Sequence, residues 1–431
     1  MLAQKMKKNN VKRDPFIHLT RLPDPKVRHY WFSKLISVVI ALLICALITN
    51  AMAPNSFGSF FQYLGMGTFS NKLQVLRLFQ DTAILLLIAL ALTPAFKMKF
   101  WNIGAEGQVL IGALGATIVM KFWAGTMPNA LLIFLCLALS ILFSIIWAVI
   151  PAIFKAFFNT NETLFTLMMN YLASGLVAYF VFVWVPNGSA VLGVINPNTH
   201  DGWLPKLFGQ DYLINIITVV VVTVLIFVYL KFSKHGYELT VVGESQNTAR
   251  YVGINVKKTI IRTLILSGAV CGLVGFLLVN GTSHTLNADL VGGRGFTGIL
   301  VAWLGHFNPF EMIFTAFLVA FVTLGGSYAG DIFRFGTAYS KVLIGIFFFV
   351  FIASEFFLRY KINFSNEAQA FFNKIGNFFK KIFGPIGRFF KKIFTPVGRF
   401  FKKIFAPVGR FFKKLFKKKD SPKKEPMNKE E

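Results

Sequence analysis

Residues 78–96 read LFQDTAILLLIALALTPAF, a nineteen-residue stretch with one acid and no base. Wound as a helix at 1.5 Å per residue it is about 28 Å long, close to the hydrocarbon thickness of a bilayer. The stretch therefore reads as a membrane span. Outward from it, apolar runs of comparable length recur at residues 35–53, 109–125, 130–154, 163–185, 213–230, 259–279, 310–325 and 337–357. A shorter piece, 296–304, lies between glycine-rich turns and predicts a short or broken helix. The composition agrees: 55% of the 431 residues are hydrophobic, 15% are charged, and the mean hydropathy is +0.61. That balance excludes a soluble globular protein. The expected fold is all-α, a polytopic membrane protein with about ten transmembrane helices.

Charge sets the orientation. Of the net +27, residues 1–34 carry +7 and residues 374–431 carry +14, which leaves +6 across the apolar body. Basic residues that flank membrane spans point to the cytoplasm and not to a nucleic-acid-binding face. Lys97, Lys99, Lys155 and the stretch 231–258 mark further cytoplasmic segments, so both termini are expected inside. An N-in, C-in chain needs an even number of crossings, which makes the 296–304 piece a crossing. Residues 54–77 and 186–212 are then the long outside loops. Three domains follow: a basic segment 1–34, a transmembrane body 35–359 containing the cytoplasmic loop 232–258, and a basic tail 360–431.

Chemistry-bearing constellations are few. Cys45, Cys136 and Cys271 all lie in apolar runs without CxxC spacing, and the six histidines form no HExxH, so neither disulfide, metal nor cofactor is expected. Gly293, Gly295 and Gly298 spell GxGxxG, but no strand precedes them, and no GxxxxGK[ST] occurs. The chain has no ATP site of its own and is not expected to be an enzyme. Asp81, Glu106, Glu162 and Glu311 fall near predicted span ends, where ionisable groups are functional candidates. Glu106 lies in NIGAEGQ, 102–108, which is either a polar loop lining a water-filled path or an ordinary turn between helices. Gly268, Gly272 and Gly275 predict close helix packing, as do Gly112 and Ala116. Ser245 can cap a short helix over about 246–252 that Gly253 ends, giving either a lever for a cytoplasmic partner or a tight solvated connector.

These motifs share an order. NIGAEGQVLIGALGA, TNETLFTLMMNYLA (160–173), HGYELTVVGESQNTARYVGINVKK (235–258) and GRGFTGILVAWLGHFNP (293–309) together resemble the permease subunits of ABC importers for branched-chain amino acids, simple sugars and nucleosides. The nucleoside type is the nearer likeness, and the resemblance covers about 35–359. It implies a multi-pass protein of a bacterial cell membrane with a cytoplasmic ABC ATPase, a second permease subunit and an extracytoplasmic substrate-binding lipoprotein as partners. By position it places Asn102, Glu106, Gln108, Asn170, Asn280, Arg294 and Phe296 near the translocation path. Gly243, Glu244, Ala249, Arg250, Tyr251 and Gly253 would form the helix coupled to the ATPase. Trp303 and the Ser245-Gln246-Asn247 run depart from the family pattern. Sugars and branched-chain amino acids remain alternative substrates. An ion-coupled transporter using Glu106 or Asp81 is a further alternative, and a membrane enzyme lacks any catalytic constellation.

The tail stands apart from the resemblance. Residues 378–416 are an eleven-residue repeat, FFKKIFGPIGR, FFKKIFTPVGR, FFKKIFAPVGR and FFKKLF. At about 100° per residue, Phe378, Phe379, Phe389, Phe390, Phe400, Phe401 and the Ile-Phe pairs cover an arc of about 140°, with Lys380, Lys381 and their equivalents opposite. The expectation is a basic amphipathic segment on membrane lipids, hinged at its prolines, in preference to a disordered or nucleic-acid-binding arm.

Overall fold

The computed structural model describes residues 17–23, 27–185, 191–336 and 338–364, so the 378–416 repeat lies outside the described residues. The chain divides into two units, residues 26–356 and the flanks 1–25 with 357–431. The first is a helical bundle with one short strand pair. Its helices are α1 (Val27–Met52), α2 (Phe57–Phe69), α3 (Lys72–Lys97), α4 (Ala105–Phe122), α5 (Asn129–Phe158), α6 (Glu162–Trp184) and α7 (Leu213–Phe232). Then come α8 (Lys234–Glu244), α9 (Gln246–Tyr251), α10 (Val256–Leu278), α11 (Arg294–Leu304), α12 (Pro309–Ile332) and α13 (Ala338–Arg359). Among the described residues nine helices are long and apolar enough to cross a membrane. Helix α11, eleven residues long, covers only about 16 Å.

Local sequence explains the helix starts. Asn71, Asn161, Ser233, Ser245 and Asn255 each accept a hydrogen bond from a backbone N–H in the first turn of α3, α6, α8, α9 and α10. Helix α3 is central: every residue from 82 to 96 is buried, as expected of a helix apolar all round. Around it α4, α5 and α10 meet through glycine. A Cβ on Gly112 would lie 2.9 Å from the Gly272 Cα, one on Gly268 2.9 Å from the Ser144 carbonyl oxygen, and one on Gly275 2.5 Å from the Ala113 nitrogen. No side chain fits at these positions, so the small residues set the interhelical distance.

In the second unit β1 (Ile17–Arg21) pairs antiparallel with β4 (Tyr360–Phe364), Leu19 opposite Ile362. The Leu22 N–H donates to the Arg359 carbonyl at 2.8 Å.

Two expectations need correction. Residues 54–77 are not a long loop. They contain α2 and the first turns of α3, because a helix over FGSFFQYLGMGTF can bury Phe60 and Leu64 and bring Gly67 within van der Waals reach of Gly325 and Tyr328 on α12. Likewise residues 234–244 are a helix, α8, which buries His235, Leu239 and Val242 at helical spacing.

Candidate functional site

The chain does not turn back directly after α10. A π turn, Val279–Ser283, and a short strand β3 (Leu286–Asn287), paired with β2 (Val191–Leu192), carry it to Gly292 and Gly293, both at positive φ (63° and 82°). Only glycine adopts this conformation without strain. Helix α11 then begins inside the bundle, where its free N–H groups need a partner. Glu106 supplies it: one carboxylate oxygen accepts from Gly293 N–H at 2.7 Å and the other from Gly295 N–H at 2.6 Å. A carboxylate at a helix N-terminus also satisfies the helix dipole. The contact leaves no room at Gly295, where a Cβ would lie 2.5 Å from the Glu106 nitrogen. Beside it Arg294 donates to Asp81 on α3 at 3.1 Å.

The NIGAEGQ loop is held from behind. Asn102 is fully buried; its Oδ1 accepts from Gly104 N–H (3.0 Å) and Gln108 Nε2 (3.3 Å), and its Nδ2 donates to Ser267 (3.3 Å). Asn170 of α6 accepts from Gly107 N–H at 2.8 Å and donates to the Ile103 carbonyl at 2.9 Å. This is irregular backbone buried in protein, the condition under which a membrane tolerates it.

In front of these groups lies a cavity of about 840 Å³. Helices α3, α4, α6, α11, α12 and α13 and the 288–294 linker form its walls. Asp81, Glu106, Asn170, Arg294 and Lys341 bring polar atoms to the lining, Ser174, Thr297 and Thr323 bring hydroxyls, and Tyr171, Phe296 and Phe348 bring aromatic faces. Aromatic faces beside a few placed polar groups are the usual lining of a small-molecule site.

The structure thus brings together four of the residues expected near the path: Glu106, Asn170, Arg294 and Phe296 all line the cavity. Asn102, Gln108 and Asn280 do not. The first two brace the loop, and Asn280, fully buried, donates to the Gly202 carbonyl at 2.7 Å and anchors the segment between α6 and α7. Sequence reading missed Lys341, Asp289 and Ser174. For Lys341 a signal existed: it is a base inside a predicted span, and such residues are costly unless they face a polar space.

At the other end of α11, Lys34 of α1 donates to the Leu304 carbonyl at 2.9 Å and pairs with Glu311 at 3.3 Å. Tyr30 donates to Glu311 at 2.7 Å and lies 2.8 Å from His306 Nδ1. His306 bridges Glu311 and Glu355, each at 3.1 Å. The hydrogen bond to Glu355 is the main cause of a His306 pKa above the usual histidine value. Trp303, the residue that departs from the family pattern, packs against Trp101, ring centroids 5.6 Å apart.

The α8–α9 pair sits on the end of α3, since a Cβ on Gly243 would collide with the Lys97 carbonyl. Burial holds His235, 2.7 Å from the Tyr229 hydroxyl, below the usual histidine pKa. Glu244 closes α8, Ala249 is buried, Arg250 is exposed, and Tyr251 is 91% exposed at the end of α9. Gly253 has φ 82° with open space around it. The short helix ends at Tyr251, as the cap signals predict.

Nine helices long and apolar enough to cross a membrane, a short apolar helix entering the bundle and a cavity at its start fit a transport permease. The chain belongs to the family described as branched-chain amino acid transport system / permease component, whose model matches residues 74–352. It is a multi-pass permease subunit of an ABC importer, a bacterial cell-membrane protein. Among its relatives, the guanosine ABC transporter permease protein NupP of Bacillus subtilis is 28% identical over 298 residues, 68% of this chain and 84% of its own. The nucleoside ABC transporter permease protein NupB of Lactococcus lactis subsp. cremoris is 27% identical over 307 residues (68% and 82%). The glucose ABC transporter permease protein TsgB13 of Haloferax volcanii is 25% identical over 292 residues (64% and 76%).

Proposed function

We propose that this chain moves nucleosides across the membrane as one permease of an ATP-driven importer. The observation that carries the reading is the cavity at the start of α11, where aromatic faces for a base lie beside hydroxyl and amide groups for a sugar. Glu106, Asn170, Arg294 and Phe296 form the path lining; Asn102, Gln108 and Asn280 act from behind it by fixing the backbone. Two relatives named for guanosine and nucleoside transport support this substrate class. A sugar is the second reading, favoured by the hydroxyls of Ser174, Thr297 and Thr323 and by the glucose permease relative. Glu106 is a poor coupling carboxylate, because both its oxygens already accept backbone N–H groups.

The cytoplasmic ATPase docks on α9 through Gly243, Glu244, Ala249, Arg250, Tyr251 and Gly253. A second permease subunit completes the membrane pair, and an extracytoplasmic lipoprotein delivers substrate. Uptake of labelled guanosine, glucose and leucine by cells with and without the chain tests the reading; loss of guanosine uptake alone is the expected result, and loss of glucose or leucine uptake alone refutes it. Arg250→Glu reverses an exposed charge, and Gly253→Val forces a β-branched residue to positive φ. Both are expected to leave the protein in the membrane and to cut uptake by roughly tenfold or more, an interface loss of about 1.4 kcal/mol or more. Wild-type uptake by both variants refutes the docking site.

A further inference from the structure

Among the described residues five charged side chains line the cavity, three acids and two bases, and most of that charge is offset locally. Glu106 is committed to the α11 N–H groups, so its charge is offset by the positive end of that helix. Asp81 is paired with Arg294 at 3.1 Å. The remaining two, Asp289 of the linker and Lys341 of α13, are one of each sign. A cavity of this kind gives an uncharged solute hydrogen-bonding partners without an attractive field. A phosphorylated solute would bring up to two negative charges into it, and among the described lining residues Lys341 alone is a cation without an ion-pair partner, since Arg294 is held by Asp81.

We infer that the Asp81–Arg294 pair is a charge-selectivity element: it withholds the arginine from anions, so the path passes neutral, hydroxyl-bearing solutes and turns back their phosphate esters. The inference rests on the nucleoside reading for the identity of the solute, but its test does not. Asp81 holds Arg294 as well as screening it, so removal of the carboxylate has one electrostatic signature: the guanidinium becomes available and the cavity turns positive.

Thiol reagents of opposite charge read that potential directly. Ser174→Cys places a thiol on the cavity wall, whereas Cys45, Cys136 and Cys271 are all buried. The full-length protein in membranes is treated with a sulfonate-bearing (anionic) or a trimethylammonium-bearing (cationic) methanethiosulfonate, each rate normalised to a free thiol. In the Ser174→Cys chain the two normalised rates are expected within about threefold of each other, and Asp81→Asn should raise the anionic-to-cationic ratio by roughly tenfold. Lys341→Gln, a change at an exposed position that leaves the pair intact, should move the ratio the other way. A ratio already biased tenfold towards the anion, one that neither substitution moves, or no reaction with either reagent overturns the proposal. Guanosine uptake by the same cells separates the two claims. Uptake with a biased ratio refutes the charge balance alone, and a balanced ratio without uptake refutes the nucleoside reading alone.

Discussion

The two ends of α11 are both held by charge, but in different ways. At the cavity end, Glu106 grips two backbone N–H groups at 2.6–2.7 Å and Gly295 leaves no slack behind it. At the cytoplasmic end the contacts run mostly between side chains: Lys34, Tyr30, Glu311, Glu355 and a histidine that titrates. Backbone contacts fix geometry, because the donors cannot rotate away. Side-chain contacts can exchange partners, and their strength follows protonation. The same short helix is therefore anchored at the cavity and adjustable at the cytoplasm.

The strongest way to break this contrast is at Gly295. A valine there must displace the Glu106 backbone, and overpacking of this kind costs about 3 kcal/mol or more. Gly295→Val should largely abolish monodisperse protein in detergent, read by size-exclusion of a fluorescent fusion. A normal peak would show that the cavity end can yield. Glu106→Gln is milder. The amide keeps one acceptor and loses the charge, so a loss of about 1.5–3 kcal/mol and a clear drop in melting temperature are expected. An unchanged melting temperature would mean that the cap carries no weight.

The cytoplasmic end is probed by pH. Since the folded His306 pKa is raised above 6.5, the charged ring contributes stability in full below pH 6.5, and that contribution is lost as pH rises through the folded value. The melting-temperature gap between the parent and His306→Gln should therefore be widest at about pH 6 and close on going alkaline. A gap that grows with pH reverses the assignment. The smallest effect is expected from removing residues 378–431. Uptake should persist at the wild-type rate, while a peptide of 378–419 gains helicity on anionic vesicles more than on neutral ones, since each Lys or Arg adds about 1 kcal/mol near an anionic leaflet. Lost uptake at normal membrane levels would give the tail a role in transport.

Much of this was legible in the chain. Residues 78–96 announce a span because nothing in them competes with that reading, and Ser245 and Gly253 bracket α9 by capping chemistry alone. Helix α2 was hidden because it is shorter than the apolar runs that mark spans and its glycines resemble a loop; the face of α12 accounts for Gly67. Glu106 stood out as a carboxylate in a glycine frame, but its partners lie 187 and 189 residues further on, and Asp81 and Arg294 are 213 apart. Sequence marks which groups are expensive to bury. It does not say whether the compensating partner is a substrate, a helix end or another side chain; for Asn102 and for the amide nitrogens of Gln108 and Asn280 the partner turned out to be the protein itself.

The β1–β4 ribbon has a consequence for the order of synthesis. Thr20 and Lys361, hydrogen-bonded across it, are 341 residues apart, so β1 leaves the ribosome long before its partner exists. Its backbone groups can find their ladder only after the last span has been made. Closure of the ribbon is thus a late step in biogenesis, and a chain that stops short of residue 360 keeps an open strand edge at its N-terminus.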